Sequence, residues 1–159
     1  MAYTHCICDT SNMAGTKLPS KHVNVKLSAD VDNGNIVAIG NLAEGESEAL
    51  AATQPEANTP LNKLALVKAP EVLADETKKN LGDFYNKNGD IVRAYLFESG
   101  DEFRLTAEGI DGGSPSVGNV LEAQAGYKMK MAASATGEGT TLIGTVIAIE
   151  GDYFVVRVA

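Results

Sequence analysis

Residues 87–106 read KNGDIVRAYLFESGDEFRLT and hold two β-rich runs between turn signals. The pair Asn88-Gly89 tolerates positive φ, and Ser99-Gly100-Asp101 has the composition of a tight hairpin turn. In the first run, residues 91–97, both faces are largely apolar when alternate residues are assigned to opposite sides. We therefore predict a hairpin whose first strand is central and covered on both sides.

The composition indicates a folded protein with few aromatic side chains. Of the 159 residues, 44% are hydrophobic, 21% are charged and 6% are aromatic, and tryptophan is absent. The core must therefore be built from Val, Ile, Leu and Ala. The 16 glycines indicate many tight turns, which is typical of an all-β chain.

The net charge is −8, from 21 acidic and 13 basic residues. Nucleic-acid binding needs a basic surface that displaces counterions, so we predict no nucleic-acid partner. The sequence has no apolar run long enough to span a bilayer and no signal peptide at its start. It therefore predicts no membrane partner and no passage through a membrane.

Turn and period signals divide the chain into four regions. Residues 1–21 show no sustained period and are predicted to be an N-terminal arm, either disordered or ordered by a partner. Residues 22–72 are a β-hairpin region with a surface loop, residues 73–86 a connector with a short helix, and residues 87–159 a C-terminal barrel-like body. The predicted fold class is all-β: a small barrel or sandwich with an extended N-terminal arm and at most one short helix.

The first β region is organised around the turn Asp32-Asn33-Gly34-Asn35. An alternating strand at 22–28 precedes this turn and a return strand at 36–39 follows it, which predicts a hairpin. Residues 44–62 are rich in Ala, Glu, Gln, Pro and Asn and are predicted to be a surface loop. Residues 64–67 are predicted to be a short buried strand.

The connector and the C-terminal body complete the prediction. Residues 75–81 are the best helix candidate, because Asp75 can cap the helix and Gly82 can end it. Gly144 interrupts a β-branched run and is predicted to mark a bulge or a bend of a barrel strand. Further strands of the body are predicted at 118–124, 127–133, 141–149 and 153–158, and Glu150-Gly151-Asp152 is predicted to be the hairpin turn between the last two.

The residues that could carry chemistry form no catalytic pattern. His5 and His22 are the two histidines and both lie near the N-terminus, which leaves little material for a Ser-His-Asp or Cys-His arrangement. Cys6 and Cys8 are too few for a disulfide framework, and no second ligand pair stands at a zinc-site spacing. We predict no enzymatic activity, no cofactor and no metal.

Three arginines, Arg93, Arg104 and Arg157, fall on predicted strands. Each could cover a sheet face with its stem and keep its charge in water. Alternatively, an arginine could meet a partner's carboxylate across an interface, where this residue type is enriched. Arg93, with apolar neighbours on both sides, is the best candidate for the second role.

In the order of its pieces, the chain resembles the auxiliary capsid proteins of tailed bacteriophages, which are small decoration, cement or minor head proteins. The resemblance covers roughly residues 22–159 and rests on structural motifs that carry no chemistry. These motifs are Asp32-Asn33-Gly34 with Ile36-Val37, Leu64 to Val67 leading into Ala69-Pro70-Glu71-Val72, residues 75–84, Arg93-Ala94-Tyr95 with Gly100-Asp101-Glu102-Phe103, and residues 143–147.

The resemblance implies a non-enzymatic virion structural protein that binds the outer surface of the major capsid protein shell and stabilises it. Such a protein would be assembled in the host bacterial cytoplasm and would self-associate, with a trimer as one option. The resemblance also implies that the arm orders on binding and adds backbone pairing to a neighbouring sheet edge. The candidate partner-binding residues are Tyr3, Cys6, Ile7, Cys8, Met13 and Leu18 of the arm and Arg93 of the body.

Two other classes of function stay open at this point. A carbohydrate- or cell-surface-binding module of the virion is the alternative, because small β-barrels with polar loops are a common platform for such modules. The low aromatic content speaks against sugar stacking. The third class is an enzyme that uses loop carboxylates such as those at 98–102, although acids in turns are normally solvated.

Overall fold

The computed structural model describes residues 3–73, 77 and 80–159. Its regular structure consists of strands and short 3-10 turns, with no α-helix among the described residues, which confirms the all-β prediction. None of the described helical turns is long or apolar enough to span a membrane. The 3-10 turns are Ala14–Thr16, Pro19–Lys21, Leu61–Lys63, Leu81–Asp83 and Ala107–Gly109.

Most of the helix predicted at 75–81 lies outside the described residues. Beside its C-terminal end, Leu81–Asp83 forms a 3-10 turn capped by Asn80, whose side-chain oxygen accepts a hydrogen bond from the Gly82 N–H. Gly82 was expected to end a helix, and it lies inside this turn instead. It allows a close approach, because a Cβ at this position would lie 2.7 Å from the ring of Tyr3.

The strands of the described residues form a closed barrel and an open sheet. In chain order they are β1 (Cys8–Asp9), β2 (His22–Lys26), β3 (Ile36–Leu42), β4 (Ala49–Thr53), β5 (Leu64–Val67), β6 (Ile91–Leu96), β7 (Glu102–Thr106), β8 (Ile110–Asp111), β9 (Val120–Glu122), β10 (Met129–Ala132), β11 (Leu142–Glu150) and β12 (Tyr153–Val158). The barrel has the order β2-β4-β3-β5-β6, and the seven-stranded sheet has the order β1-β7-β12-β11-β9-β10-β8.

Strand β2 closes the barrel by pairing in parallel with β4 and antiparallel with β6. A barrel of five strands encloses little space, so its interior must be filled by small apolar side chains. The sequence supplies alanine and valine at the inward positions. These residues are Val25, Val37, Ala52, Ala65, Val67, Val92 and Ala94.

Strand β5 lies at the centre of the molecule, and its four side chains are fully buried. Ala65 and Val67 point into the barrel, whereas Leu64 and Leu66 pack on the sheet with residues such as Phe103. A second hydrophobic core therefore fills the space between the barrel wall and the sheet, and it joins the two units into one body. The prediction of a short buried strand at 64–67 is confirmed.

The hairpin predicted within residues 87–106 is wrong. Strand β6 pairs with β2 and β5 of the barrel, whereas β7 pairs with β1 and β12 of the sheet. The turn at 98–101 therefore carries the chain from the barrel to the sheet, and the division between the two units falls here, not ahead of β6. The Asp101 carboxylate fixes this crossing by accepting hydrogen bonds from the N–H groups of Glu98 at 3.2 Å and Ala14 at 3.0 Å.

Two predictions for the barrel also need correction. The loop predicted at 44–62 contains β4, where Ala49 and Ala52 are buried, because barrel closure stabilises a strand that its alanine-rich composition does not favour. The strands predicted at 22–28 and 36–39 both exist, but they do not pair with each other. Strand β4 lies between them.

The prediction for the end of the chain is confirmed. Strands β11 and β12 pair as a hairpin, and the register of β11 against β9 shifts between Leu142 and Gly144, as expected for a bulge. A Cβ at Gly144 would lie 2.4 Å from the carbonyl oxygen of Arg157. Glycine is therefore required here because the backbones approach too closely for any side chain.

Candidate partner-binding surface

The N-terminal segment, predicted to need a partner for order, is packed on the chain's own body. We call residues 3–21 the strap. Its strand β1 pairs with β7 at the edge of the sheet, and it then passes the crossing turn to reach the barrel, where Gly15 lies against Tyr95. The strap therefore ties the sheet to the barrel.

Four of the seven residues predicted to contact a partner are core residues instead. Cys6, Ile7, Cys8 and Met13 are each at most 8% exposed. Cys6, Cys8 and Met13 belong to the core between the barrel and the sheet. A partner cannot reach these side chains while the strap stays in place, so their assignment as contacts is corrected to a structural one.

Asp32 anchors the strap to the barrel. Its carboxylate accepts a hydrogen bond from the Cys6 N–H at 3.0 Å and lies 2.7 Å from Nδ1 of His5. The His5 ring also stacks on Tyr85, with the ring centroids 4.8 Å apart. The sequence predicts that Asp32 lies in a turn. It does not predict the hydrogen bond between Asp32 and Cys6, because the two residues are far apart along the chain.

Tyr3 attaches the beginning of the strap to the sheet. Its N–H donates to Oε1 of Glu108 at 2.8 Å, and its hydroxyl donates to Oδ2 of Asp152 at 3.0 Å. The bond to Asp152 raises the pKa of the Tyr3 hydroxyl. Burial acts to raise the pKa of Glu108, but hydrogen bonds led by the Tyr3 N–H hold that pKa below its usual value. The polar groups of Tyr3 are therefore engaged within its own chain.

Cys6 and Cys8 are free, enclosed thiols. Burial raises the pKa of Cys6 to about 12 and holds the pKa of Cys8 well above its usual range. The Cys6 sulfur lies where Gly34 and Gly109 leave room, since a Cβ at these glycines would be 2.8 and 2.6 Å from it. The thiols serve as small apolar core groups. Within the described ranges, no three His, Cys, Asp or Glu residues group closely enough to hold a metal ion.

Strand pairing places Asn24, Arg93 and Lys68 in one row on the outside of the barrel. Asn24 is opposite Arg93 in the β2–β6 ladder. Lys68 is the next residue after Val67, the last paired residue of β5, and its N–H donates a hydrogen bond to the Arg93 carbonyl at 3.1 Å. Directly opposite residues share a face of a sheet. These three residues, together with Ile91, form what we call the open barrel face.

A groove of about 380 Å³ runs over the open barrel face. Its floor includes Ile91, Arg93 and Tyr95, which alternate along β6 and so point to the same side. Thr10 of the strap and Pro70 also line the groove. Tyr95 is covered, whereas Ile91 is 50% exposed and Arg93 is exposed. Strand β6 is therefore not covered on both sides along its length, contrary to the prediction.

Arg93 is the cation of this face that lacks an acidic partner among the described residues. Lys68 forms an ion pair with Glu71, and Nζ of Lys26, which lies opposite Ile91 in the ladder, is 3.4 Å from Oε1 of Glu46. The cross-strand neighbours of Arg93 are an amide and a cation, and no ion pair joins Arg93 to a carboxylate of the described residues. Its guanidinium therefore keeps its side-chain donors available to a partner.

The other two arginines have acidic neighbours. Nε of Arg104 lies 3.1 Å from Oε2 of Glu150, and this hydrogen bond raises the pKa of Arg104. Arg157 is exposed on β12 and stands opposite Glu102 in the β7–β12 ladder. Neither Arg93 nor Arg157 forms an ion pair with a described residue, and Arg93 differs from Arg157 in having no acidic residue opposite it in its ladders.

The structure does not gather the seven predicted residues into one site. Four are in the core and Tyr3 is bound to the sheet, which leaves Leu18 and Arg93 as the two most accessible. Leu18 is 51% exposed between the two 3-10 turns of the strap. The accessible candidates for a partner contact are therefore Arg93 on the open barrel face and Leu18 near the end of the strap.

Sequence reasoning missed the buried carboxylate of Glu122. This residue of β9 is 1% exposed, and it accepts hydrogen bonds from the N–H and the hydroxyl of Thr136, each at 2.6 Å. These bonds fasten the loop that contains Thr136 to the sheet. The signal that could have found it is an acid in the middle of a predicted strand, since buried strands rarely carry one.

Comparisons with known proteins assign no family to the chain. No protein-family model matches it, and no curated protein matches it. A solved structure that is similar is the N base of the head fiber protein gp8.5 of bacteriophage phi29, with 13% sequence identity and a TM-score of 0.47. The similarity covers 87% of this chain and 92% of that chain. Likeness at this level identifies neither a family nor a function.

Proposed function

We propose that this chain is a non-enzymatic structural protein of a virion that binds the outer surface of the major capsid protein shell and stabilises it. The observation that carries the proposal is the open barrel face, where Ile91 and Arg93 lie exposed on a strand of a closed barrel. Protein interfaces are enriched in arginine and combine it with apolar side chains. A face of this kind suits a protein partner.

Three further features support a capsid as that partner. The motifs within residues 22–159 resemble those of tailed-phage auxiliary capsid proteins. The strap is held by the Asp32 hydrogen bonds and by the β1–β7 pairing, so the body keeps one shape when it binds. The net charge of −8 opposes non-specific association of the free protein in the bacterial cytoplasm before it binds a particle. Self-association, with a trimer as one option, belongs to the same proposal.

Co-sedimentation with capsid shells tests the proposal. Purified protein is mixed with shells assembled from the major capsid protein of the same virus, and the pelleted amount is measured against protein concentration. We expect saturable binding and a higher temperature of shell disruption in the presence of the chain. Absence of co-sedimentation at low and at physiological salt would overturn the proposal, and binding to a glycan array instead would favour the sugar-binding module.

A further inference from the structure

We propose that the groove on the open barrel face receives an extended segment of the capsid protein, and that Arg93 binds a carboxylate of that segment. The inference deepens the proposed function and rests on it. It starts from the position of Arg93 in the lining of the groove, between the half-exposed Ile91 and the buried Tyr95 on one side of β6. The groove specifies the chemistry of its occupant through its charge, its spacing and its hydrogen-bonding groups.

Charge complementarity selects an acidic occupant. The whole chain has a net charge of −8, yet the cross-strand neighbours of Arg93 are Asn24 and Lys68. The charge of Lys68 is balanced by Glu71, so the guanidinium leaves this row with a net positive charge. A carboxylate placed here would gain an ion pair without displacing any partner of Arg93 in the described chain.

The geometry of arginine makes the contact specific. A guanidinium presents its N–H donors as a planar fork that fits the two oxygens of a carboxylate. Asn24 lies beside it and offers an amide that can bond to backbone groups of the same occupant. A lysine at position 93 would keep the charge but would lose the fork, so it should restore only part of the affinity.

The spacing along β6 predicts a second feature of the occupant. Ile91 and Arg93 are alternate residues of a strand, so their side chains lie about 7 Å apart on one side. An extended segment has the same repeat. The occupant should therefore carry an apolar residue two positions from its acid, and this residue would cover the half-exposed Ile91.

Binding of arginine variants to capsid shells tests the inference. We compare wild type, Arg93→Gln, Arg93→Lys and the control Arg157→Gln, which removes a different exposed strand arginine. A charge-assisted bidentate contact predicts a dissociation constant roughly 10-fold to 100-fold higher for Arg93→Gln, with Arg93→Lys intermediate and the control unchanged. Thermal unfolding of Arg93→Gln should match wild type, because Arg93 makes no ion pair in the described chain.

The outcomes separate the inference from the proposed function. If wild type binds shells and Arg93→Gln binds equally well, the inference fails while the proposed function stands. If wild type does not bind shells, the proposed function itself fails. If Arg93→Gln changes self-association of the free protein but not shell binding, the occupant is a second copy and the inference is overturned.

Cross-linking identifies the carboxylate directly. In the Arg93→Lys variant bound to shells, a carbodiimide activates carboxylates, and attack by the introduced amine forms an amide with release of the urea. Mass spectrometry should find position 93 joined to an Asp or Glu of the capsid protein that has an apolar residue two positions away. Links from position 93 to another copy of this chain would contradict the inference, as would no link there while other lysines react.

Discussion

The outside of the barrel has a covered region and an open region, and the border between them lies on one strand. Leu66 and Tyr95 are opposite each other and are both buried, by the sheet and the strap. Two residues away on the same side of β6, Arg93 is exposed, and Ile91 beyond it is half exposed. Alternate residues of β6 thus lie in both the covered and the open region. Whether an outward residue is covered depends on whether its side chain is apolar or charged.

The open barrel face stays uncovered because of the residue types on the outer side of β6. Strand β5 is apolar at all four positions and is buried on both sides, since leaving either side in water would sacrifice hydrophobic stabilisation. Strand β6 carries Arg93 among its outward positions, and a charged group is expensive to bury without a partner. The strap leaves Arg93 uncovered, and the groove lies over this residue with Thr10 of the strap in its lining.

Deletion of the strap should have the strongest effect on stability. Deletion of residues 1–21 takes Cys6, Cys8 and Met13 out of the core between the barrel and the sheet and uncovers Tyr95. We expect loss of the cooperative thermal transition, measured by circular dichroism. The control Leu18→Ala alters an exposed side chain of the same segment and should leave the transition unchanged. A truncated chain that unfolds at the wild-type temperature would show that the segment is a dispensable arm.

Truncating one side chain in each region measures the difference between them. Leu66→Ala should lower the free energy of unfolding by about 2–5 kcal/mol, because it opens a cavity in a closed core. Ile91→Ala removes a half-exposed group and should change the free energy of unfolding by less than about 1 kcal/mol. Urea denaturation gives both values. Equal losses would mean that the open barrel face is as closely packed as the covered one.

The buried thiols predict a chemical difference between the folded and unfolded states. Burial raises the pKa of Cys6 from 9.0 to about 12, so the unfolded chain releases this proton at a lower pH than the folded chain. The free energy of unfolding should therefore fall as the pH rises from 9 towards 12, and the fall should be smaller in Cys6→Ala. At pH 8, well below that window, a thiol reagent should modify the native chain far more slowly than the urea-unfolded chain; equal rates would contradict the burial of both cysteines.

The smallest expected effect on stability concerns two strand arginines, the half-buried Arg104 and the exposed Arg93. Arg104→Gln removes an exposed ion pair with Glu150 and should lower the free energy of unfolding by less than about 1 kcal/mol, with a smaller effect at high salt. Arg93→Gln should not change the free energy of unfolding, because Arg93 forms no ion pair with the residues that the structure describes. A destabilised Arg93→Gln would indicate that Arg93 has a structural role in its own chain.

The positions of most strands could be predicted from the sequence, whereas their pairing could be predicted only for the C-terminal hairpin of β11 and β12. Alternation and turn residues located β2, β5 and β12, and they located the bulge at Gly144. The turn at 98–101 has residues suited to a hairpin, yet it connects the two units, because closing the barrel requires β6 to pair with β2 and β5. Local turn chemistry does not encode that choice between partners distant along the chain.

The candidate site was predictable to a smaller extent. Arg93 stands out in the sequence by its apolar neighbours, and in the structure its cross-strand neighbours are an amide and a cation. The burial of the strap could not be predicted from the sequence. It depends on isolated contacts such as that of Cys6 with Asp32, which produce no periodic pattern of apolar residues. Gly34 and Gly109 make room for Cys6 from distant parts of the chain, and no pattern within the strap reports them.

Cryo-electron microscopy of intact particles that resolves this chain on the shell would show whether the open barrel face is the surface that binds the capsid protein. We predict that the strap stays packed across the sheet and the barrel as in the free protein, and that the open barrel face meets the capsid protein with Arg93 against a carboxylate. Density that shows residues 3–21 detached and extended over a neighbouring subunit, with Arg93 in solvent, would contradict this account.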